Sequence, residues 1–387
     1  MSTSDRSQRL VSLDFFRGAA IVLMILVNNP GSWANVYPPL LHAKWHGWTP
    51  TDLVFPFFLF IVGVSIVLAY NKRLGSGIPK SELSKKAAKR AVVLFALGLF
   101  MAAWPFFTFD PEIAVRPALL KLRYMGVLQR IALCYFAASM LFLYAGPKAR
   151  KYWMVGLLVG YWIVMALVPV PGYGAGMWDD PVATLSAFLD RMILGENHLW
   201  AGTGRTWDPE GLLSTIPAIV TTLLGVWTGE LLAGSDDNST KVARLMIRGA
   251  ILIGIGYVWN WFFPINKGLW TSSYVVFTGG QAMCMLGISY WLIDVKGYTK
   301  WTQPFIVYGT NALTVFFMSG IVAKSLIILK VAGPNGDPIS AYSWIYQMIF
   351  LQVASPINAS LMFAVTWIIF WYLVLDAMWK RGIVVKV

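Results

Sequence analysis

Apolar residues run in long blocks along this chain, and polar residues gather in the short stretches between them. Blocks long enough to cross a hydrocarbon core about 30 Å thick occur at 10–29, 52–71, 91–107, 125–144, 152–169, 212–232, 248–263, 273–293, 304–324 and 357–379. No block alternates with the period of a barrel strand, and a helix satisfies its own backbone groups in lipid, so each predicts a helix. A further apolar stretch, 341–354, is short and lies between Pro338 and Pro356, which predicts an interfacial or re-entrant helix. The expected fold is all-α: ten transmembrane helices plus that short one, in a single domain over 1–387.

Lys and Arg set the direction of these spans. One side collects Arg6 and Arg9, the seven cations of 72–90, Lys148, Arg150, Lys151, Lys241, Arg244, Arg248, Lys296, Lys300, Lys380, Arg381 and Lys386, twenty of the chain's 31. The other side holds nine, and Arg17 and Arg130 lie within spans. Basic loops favour the cytoplasm, so both termini are expected inside. The loops 29–51, 108–124, 170–211 and 325–356 are then expected on the outer face. The residues before Leu10 lack a cleavable signal pattern, so the first span is expected to remain as an anchor.

Composition fits that picture. The chain is 57% hydrophobic and only 13% charged, with a mean hydropathy of +0.62, more apolar surface than a soluble domain of this length can hide. Its net charge of +13 would suggest nucleic acid in a soluble protein. Here the basic inner loops account for it, and no nucleic-acid partner is expected. Cys134 and Cys284 both sit inside apolar runs, which argues against a disulfide framework or a thiolate metal site. The halves 1–190 and 200–387 show no self-similarity of the kind many transporters carry.

Candidate chemistry lies where polar groups interrupt these patterns. Arg17, three residues after Asp14, can pair with it on one helix face or snorkel to the interface. Arg130 sits more than a turn inside its span beside Gln129 and needs a partner or a ligand. The first outer loop carries two of the chain's three histidines in His42-Ala-Lys-Trp45-His46-Gly-Trp48, followed by Asp52 at the start of the second span. A carboxylate that orients an imidazole makes a general base, although a histidine among tryptophans is also an ordinary interfacial feature. His42 and His46 are four apart, as helical metal ligands can be, but a third ligand is missing. The loop 170–211 interleaves Asp179, Asp180, Asp190, Glu196, Asp208 and Glu210 with His198, Trp178, Trp200 and Trp207. Such a mixture can hold a sugar or an amine, or can be a solvated, flexible loop. Glu210 also falls at the expected start of the next helix, where a carboxylate is favourable in any case.

Seven blocks, in order, resemble one known family: SLDFFRGAAIVLMILVN (12–28), HAKWHGWTPTDLVFPFFLFIVGVSI (42–66), GVLQRIALCYF (126–136), FLDRMILGENHLW (188–200), WDPEGLLSTIPAIV (207–220), NKGLWTSSYV (266–275) and DVKGYTKWTQPFIVYGTNAL (294–313). They are similar to the transmembrane acyltransferases related to lysosomal heparan-α-glucosaminide N-acetyltransferase, a family with bacterial relatives linked to N-acetylglucosamine use. The resemblance implies transfer of acetyl from cytoplasmic acetyl-CoA to a sugar amine or hydroxyl on the opposite face. It places the active-site histidine at His42 and the family's asparagine at Asn28, while His46 gains nothing from it. The lysosomal enzyme's extra luminal region and first anchor have no counterpart here, which leads to the expectation of a bacterial inner-membrane setting.

The resemblance also organises the remaining polar residues. Arg17, Lys89, Arg90, Arg244 and Arg248 become candidates for the phosphates of acetyl-CoA, because guanidinium groups bind phosphate bidentately. The thioester is expected near Asn28, Arg130 and His42, with Asp52 orienting His42. Trp45, Asp190, His198, Asp208 and Glu210 are candidates for a small-molecule or oligosaccharide acceptor. No metal is expected, membrane lipids surround the bundle, and the family implies a homodimer. Direct transfer is favoured over an acetyl-histidine intermediate, since it asks one role of His42. An inner-membrane sugar permease is the competing reading, because aromatic-lined polar sites suit it too; a catalytically inactive scaffold is disfavoured by the presence of Asn28, His42 and Asp52.

Overall fold

The computed structural model describes residues 10–106, 117–334 and 336–385. Among the loop cations counted above, Arg6, Arg9, Arg116 and Lys386 fall outside that range, as do residues 108–116 of the loop 108–124. The protein is an all-α membrane protein. Among the described residues, seven helices are long and apolar enough to span a bilayer, and an eighth span is made if one bent pair counts as one. The described residues form two compact units.

One unit consists of the chain up to His42, Thr49–Phe55 and the chain from Ile288 onward. Its first helix, α1 (Val11–Asn28), begins under a carboxylate: Val11 N and Ser12 N donate to the two oxygens of Asp294, each at 3.0 Å. An anion there satisfies two otherwise unpaired amides and faces the positive end of the helix dipole. After the second helix, α2 (Val54–Gly75), six helices of ten or more residues, all of the other unit, intervene. The first unit resumes within the ninth, and α10 (Gln303–Thr310) and α11 (Ala312–Ile328) follow. A Cβ on Gly18 would stand 1.7 Å from the Phe305 carbonyl oxygen, and one on Gly309 would stand 2.4 Å from that of Asp14. Backbones of α1 and α10 therefore touch at glycine, as helices do where lipid supplies no hydrophobic drive.

The run expected to be continuous over 304–324 is bent by 78° between α10 and α11. Asn311 sits at the break. Its Nδ2 donates to the Ile383 carbonyl (3.1 Å) and its Oδ1 accepts from Val385 N (3.0 Å), so it pairs with tail backbone from outside its own helices. A hairpin follows, with β1 (Lys330–Ala332) antiparallel to β2 (Pro338–Ser340) and Val331 opposite Ile339. The short stretch expected at 341–354 forms α12 (Ala341–Ile345), continued by a wider turn through Phe350. Ten helical residues span about 15 Å, half of what a crossing requires. The unit closes with α13 (Pro356–Lys380).

The other unit holds Ala43–Trp48 and Pro56–Gly287. Most of α2 belongs to it, with α3 (Lys80–Ala103), α4 (Val127–Tyr144), α5 (Pro147–Leu167), α6 (Leu185–Leu194), α7 (Thr215–Ala233), α8 (Asn238–Trp259) and most of α9 (Ser272–Tyr290). Gly63 of α2 and Gly225 of α7 meet backbone to backbone: a Cβ added to either would stand within 2.0 Å of a carbonyl oxygen on the other helix. An aromatic core gathers Tyr161, Phe263, Trp178, Trp259 and Trp45. There the Tyr161 hydroxyl donates to the Leu269 carbonyl at 2.6 Å.

Candidate active site

The His42 loop is built by local rules. Thr49 precedes the short 3-10 turn Pro50–Leu53 and caps it in a reciprocal box with Asp52. Asp52 Oδ2 accepts from Thr49 N at 2.9 Å and from Thr49 Oγ1 at 3.1 Å. The Thr49 hydroxyl also lies 2.6 Å from the Leu41 carbonyl, and Thr51 Oγ1 donates to the Pro39 carbonyl at 3.2 Å. These bonds hold the two arms of the loop together and place His42 over Asp52. His42 Nδ1 lies 2.6 Å from Asp52 Oδ1. The carboxylate is 1% exposed and the imidazole side chain 49%. With the Nδ1 proton donated to Asp52, the ring's lone pair falls on Nε2, the tautomer a general base requires. Asn28 ends α1 with an exposed side chain, while its neighbour Asn29 is buried and donates to the Ile25 carbonyl at 2.9 Å. Arg17 pairs with Asp14 at 3.1 Å on the same helix.

In the other unit, Trp45 donates to the Trp178 carbonyl at 2.8 Å and meets Trp207 edge to face. His46 is held between Asp179 (2.9 Å) and Asn266 (3.3 Å), and Gly47 N donates to the Ile265 carbonyl at 2.8 Å. The loop 170–211 carries regular structure. It contains α6 and two 3-10 turns, and three of its six acids point inward.

Asp208 and Glu210 share Arg123, a residue that loop charge alone did not single out. Arg123 Nε donates to Asp208 Oδ2 at 2.8 Å, and its Nη2 donates to both Asp208 Oδ1 and Glu210 Oε2. Asp208 also accepts from Trp200 N (3.0 Å) and Glu210 N (2.9 Å), which accounts for its oxygens. Burial raises the Asp208 pKa above the ordinary carboxylate value. Glu210 is buried too, but the charges of Arg123 and Arg130 outweigh burial and bring it below. The expected helix start at Glu210 is corrected, since α7 begins at Thr215 and the charge partner of Glu210 is Arg123. His198 spends both ring nitrogens on neighbours, Nδ1 on the Leu122 carbonyl (2.8 Å) and Nε2 on the Tyr124 hydroxyl (3.3 Å), and stacks on the Tyr124 ring.

Behind this cluster, Asp190 and Arg130 grip one turn. Asp190 is fully buried and accepts from Leu212 N at 2.8 Å through Oδ1; its Oδ2 has no hydrogen-bond partner among the described residues. Burial, assisted by the Asp208 charge, pushes its pKa up to about 7 against the Leu212 bond and the charges of Arg130 and Arg191. Arg130, also fully buried, donates through Nη2 to the Gly211 carbonyl (3.0 Å) and Ser214 Oγ. Its guanidinium lies 5.1 Å from the Trp270 ring centroid, and its Nε and Nη1 lack a hydrogen-bond partner among the described residues. Trp270 holds φ +52°, uncommon for a bulky residue, and its indole donates to Thr221 at 3.0 Å.

The remaining cations are dispersed. Lys89 and Arg90 are exposed on α3, with Arg90 over the Tyr135 ring. Arg244 pairs with Asp236, and Arg248 lies over Trp227. Among the described residues, no group of three His, Cys, Asp or Glu side chains could hold a metal ion.

A chain with seven helices long and apolar enough to cross a bilayer among its described residues belongs to the class of multi-pass membrane proteins. Within that class the chain belongs to the heparan-alpha-glucosaminide N-acetyltransferase catalytic family, whose model matches residues 9–257. Heparan-alpha-glucosaminide N-acetyltransferase from Homo sapiens is 32% identical over 357 residues, covering 80% of this chain and 52% of that protein. The Mus musculus protein of the same name is 33% identical over 359 residues, covering 80% and 53%. The chain thus spans about half the length of the curated relatives it matches.

Proposed function

We propose that this protein is a transmembrane acetyltransferase. It takes acetyl from acetyl-CoA supplied on the cytoplasmic side and passes it to the amine or hydroxyl of a glucosamine-type sugar on the opposite face of a bacterial inner membrane. Two observations support the reading, membership of an acetyltransferase family and the His42–Asp52 pair at 2.6 Å, and the pair carries the mechanism. On this reading the bent pair α10–α11, α3 and α5 join the seven helices that are long and apolar enough by themselves to give ten spans, and the basic loops favour both ends inside.

In the reaction His42 Nε2 accepts the proton of the attacking amine or hydroxyl while Asp52 stabilises the imidazolium through Nδ1. The acceptor's nitrogen or oxygen forms the new bond to the thioester carbonyl carbon. The carbon–sulfur bond breaks, and CoA leaves with the proton returned from His42. Hydrogen-bond donors on the tetrahedral oxyanion are typically worth about 10²–10³ in rate, and Asn28 is assigned that part. Arg130 is assigned to the donor, because its two unpartnered nitrogens suit an anionic or carbonyl oxygen. Lys89 and Arg90, exposed and basic, suit its phosphates.

Purified protein in detergent, given labelled acetyl-CoA and glucosamine, tests the reading. Wild type should form N-acetylglucosamine and His42→Ala should not, although the variant still binds acetyl-CoA. Acetylation by His42→Ala at the wild-type rate removes His42 from the mechanism. Failure of wild type to bind acetyl-CoA favours a sugar permease.

A further inference from the structure

One end of the second unit, where α5 starts, α7 finishes and α8 starts, carries more cations than its acids can neutralise. Lys148, Arg150 and Lys151 lie in the first turns of α5, and Arg244 and Arg248 in the first half of α8. The nearby acids of α7 and its connection to α8 are already engaged. Glu230 takes Arg150, Asp236 takes Arg244, and Asp237 caps α8 by accepting from Thr240 N at 3.0 Å. Arg248 and Lys151 converge instead on one indole. The Arg248 guanidinium lies 4.7 Å and the Lys151 ammonium 5.9 Å from the Trp227 ring centroid. Neither has a carboxylate partner among the described residues. An anion that reaches this half-buried ring therefore meets two cations that no carboxylate neutralises.

The surroundings say which anion. Tyr152 and Trp153, directly after Lys151, are 77% and 51% exposed, and Ile247 and Ile251 beside Arg248 are 59% and 56% exposed. In a membrane-crossing bundle such side chains face lipid, and exposed Tyr and Trp mark headgroup depth. The cations are therefore bordered by the surface that acyl chains cover. We propose that Lys151, Arg248 and Trp227 form a binding site for the phosphate of an anionic phospholipid headgroup, on the face that loop charge assigns to the cytoplasm. The phosphates of CoA share this chemistry, but the apolar rim suits a ligand with two acyl chains.

Native mass spectrometry of the detergent-purified protein can separate the two sources, with phosphatidylglycerol, phosphatidylcholine and CoA as probes. Wild type should retain phosphatidylglycerol in preference to phosphatidylcholine. Lys151→Gln, a change at an exposed side chain, should weaken phosphatidylglycerol binding roughly fivefold, the usual effect of one surface cation. Adding Arg248→Gln should abolish the preference. Undiminished phosphatidylglycerol binding in the double variant overturns the proposal. So does a loss of CoA binding in Lys151→Gln with phosphatidylglycerol binding intact, which assigns the site to the nucleotide.

Discussion

Asp190 and Gly211 are fitted to each other: Oδ2 of the carboxylate lies 1.9 Å from where a Cβ on residue 211 would stand. The contact brings a fully buried acid against the turn that opens into α7, the turn Arg130 grips through the Gly211 carbonyl and Ser214.

Gly211→Ala should therefore push the Asp190 side chain off Leu212 N. Overpacking of this kind costs about 1–3 kcal/mol, read as a lower apparent melting temperature in detergent. An unchanged melting temperature would mean that the turn can shift without loss.

Asp190 should make stability depend on pH. Its folded pKa is raised, from 3.8 to about 7, so the folded state prefers the protonated acid. The resulting stabilisation is fully present below pH 3.8 and is lost as pH rises through about 7. By linkage the full swing is of order 4 kcal/mol. Asp190→Asn should raise the melting temperature at pH 8 and change it little at pH 4. A destabilised variant at pH 8 would show that the ionised carboxylate is needed there.

Arg123 holds two buried carboxylates, and its removal takes the ion pair from both. Arg123→Met should cost about 3–5 kcal/mol, as breaking a buried ion pair does. Arg123→Lys should recover only part of that, because an ammonium cannot reproduce the forked contact with Asp208. Thermal unfolding of the two variants side by side decides the matter; equal stability would mean that charge alone suffices.

Asp52→Asn should keep the loop's shape through Thr49 while removing the charge that supports an imidazolium. Acetyl transfer should fall about 10²–10⁴-fold, the range for loss of acid–base assistance, with acetyl-CoA binding unchanged. Equal effects on binding and turnover would instead mark Asp52 as structural.

Sequence made the His42 site legible because its parts are close in the chain. Thr49, Asp52 and His42 fall within eleven residues, and an N-terminal capping pattern can be read directly. The acidic loop was harder to read. Asp208 and Glu210 look like solvated charges until Arg123, 85 and 87 positions away, is brought against them. Arg130 announced its need for a partner by lying inside an apolar run. Nothing local pointed to Trp270 or to the 211–214 turn as that partner. The bend at Asn311 was hidden for the same reason, because hydropathy averages over one polar residue and its partners lie more than 70 positions on.

That bend has a practical side. Since Asn311 clasps the backbone at Ile383 and Val385, the tail works as a splint across a broken helix. An affinity tag or fluorescent fusion placed directly after it would load the splint, whereas a truncation before Ile383 would remove it. Either should loosen the angle between α10 and α11.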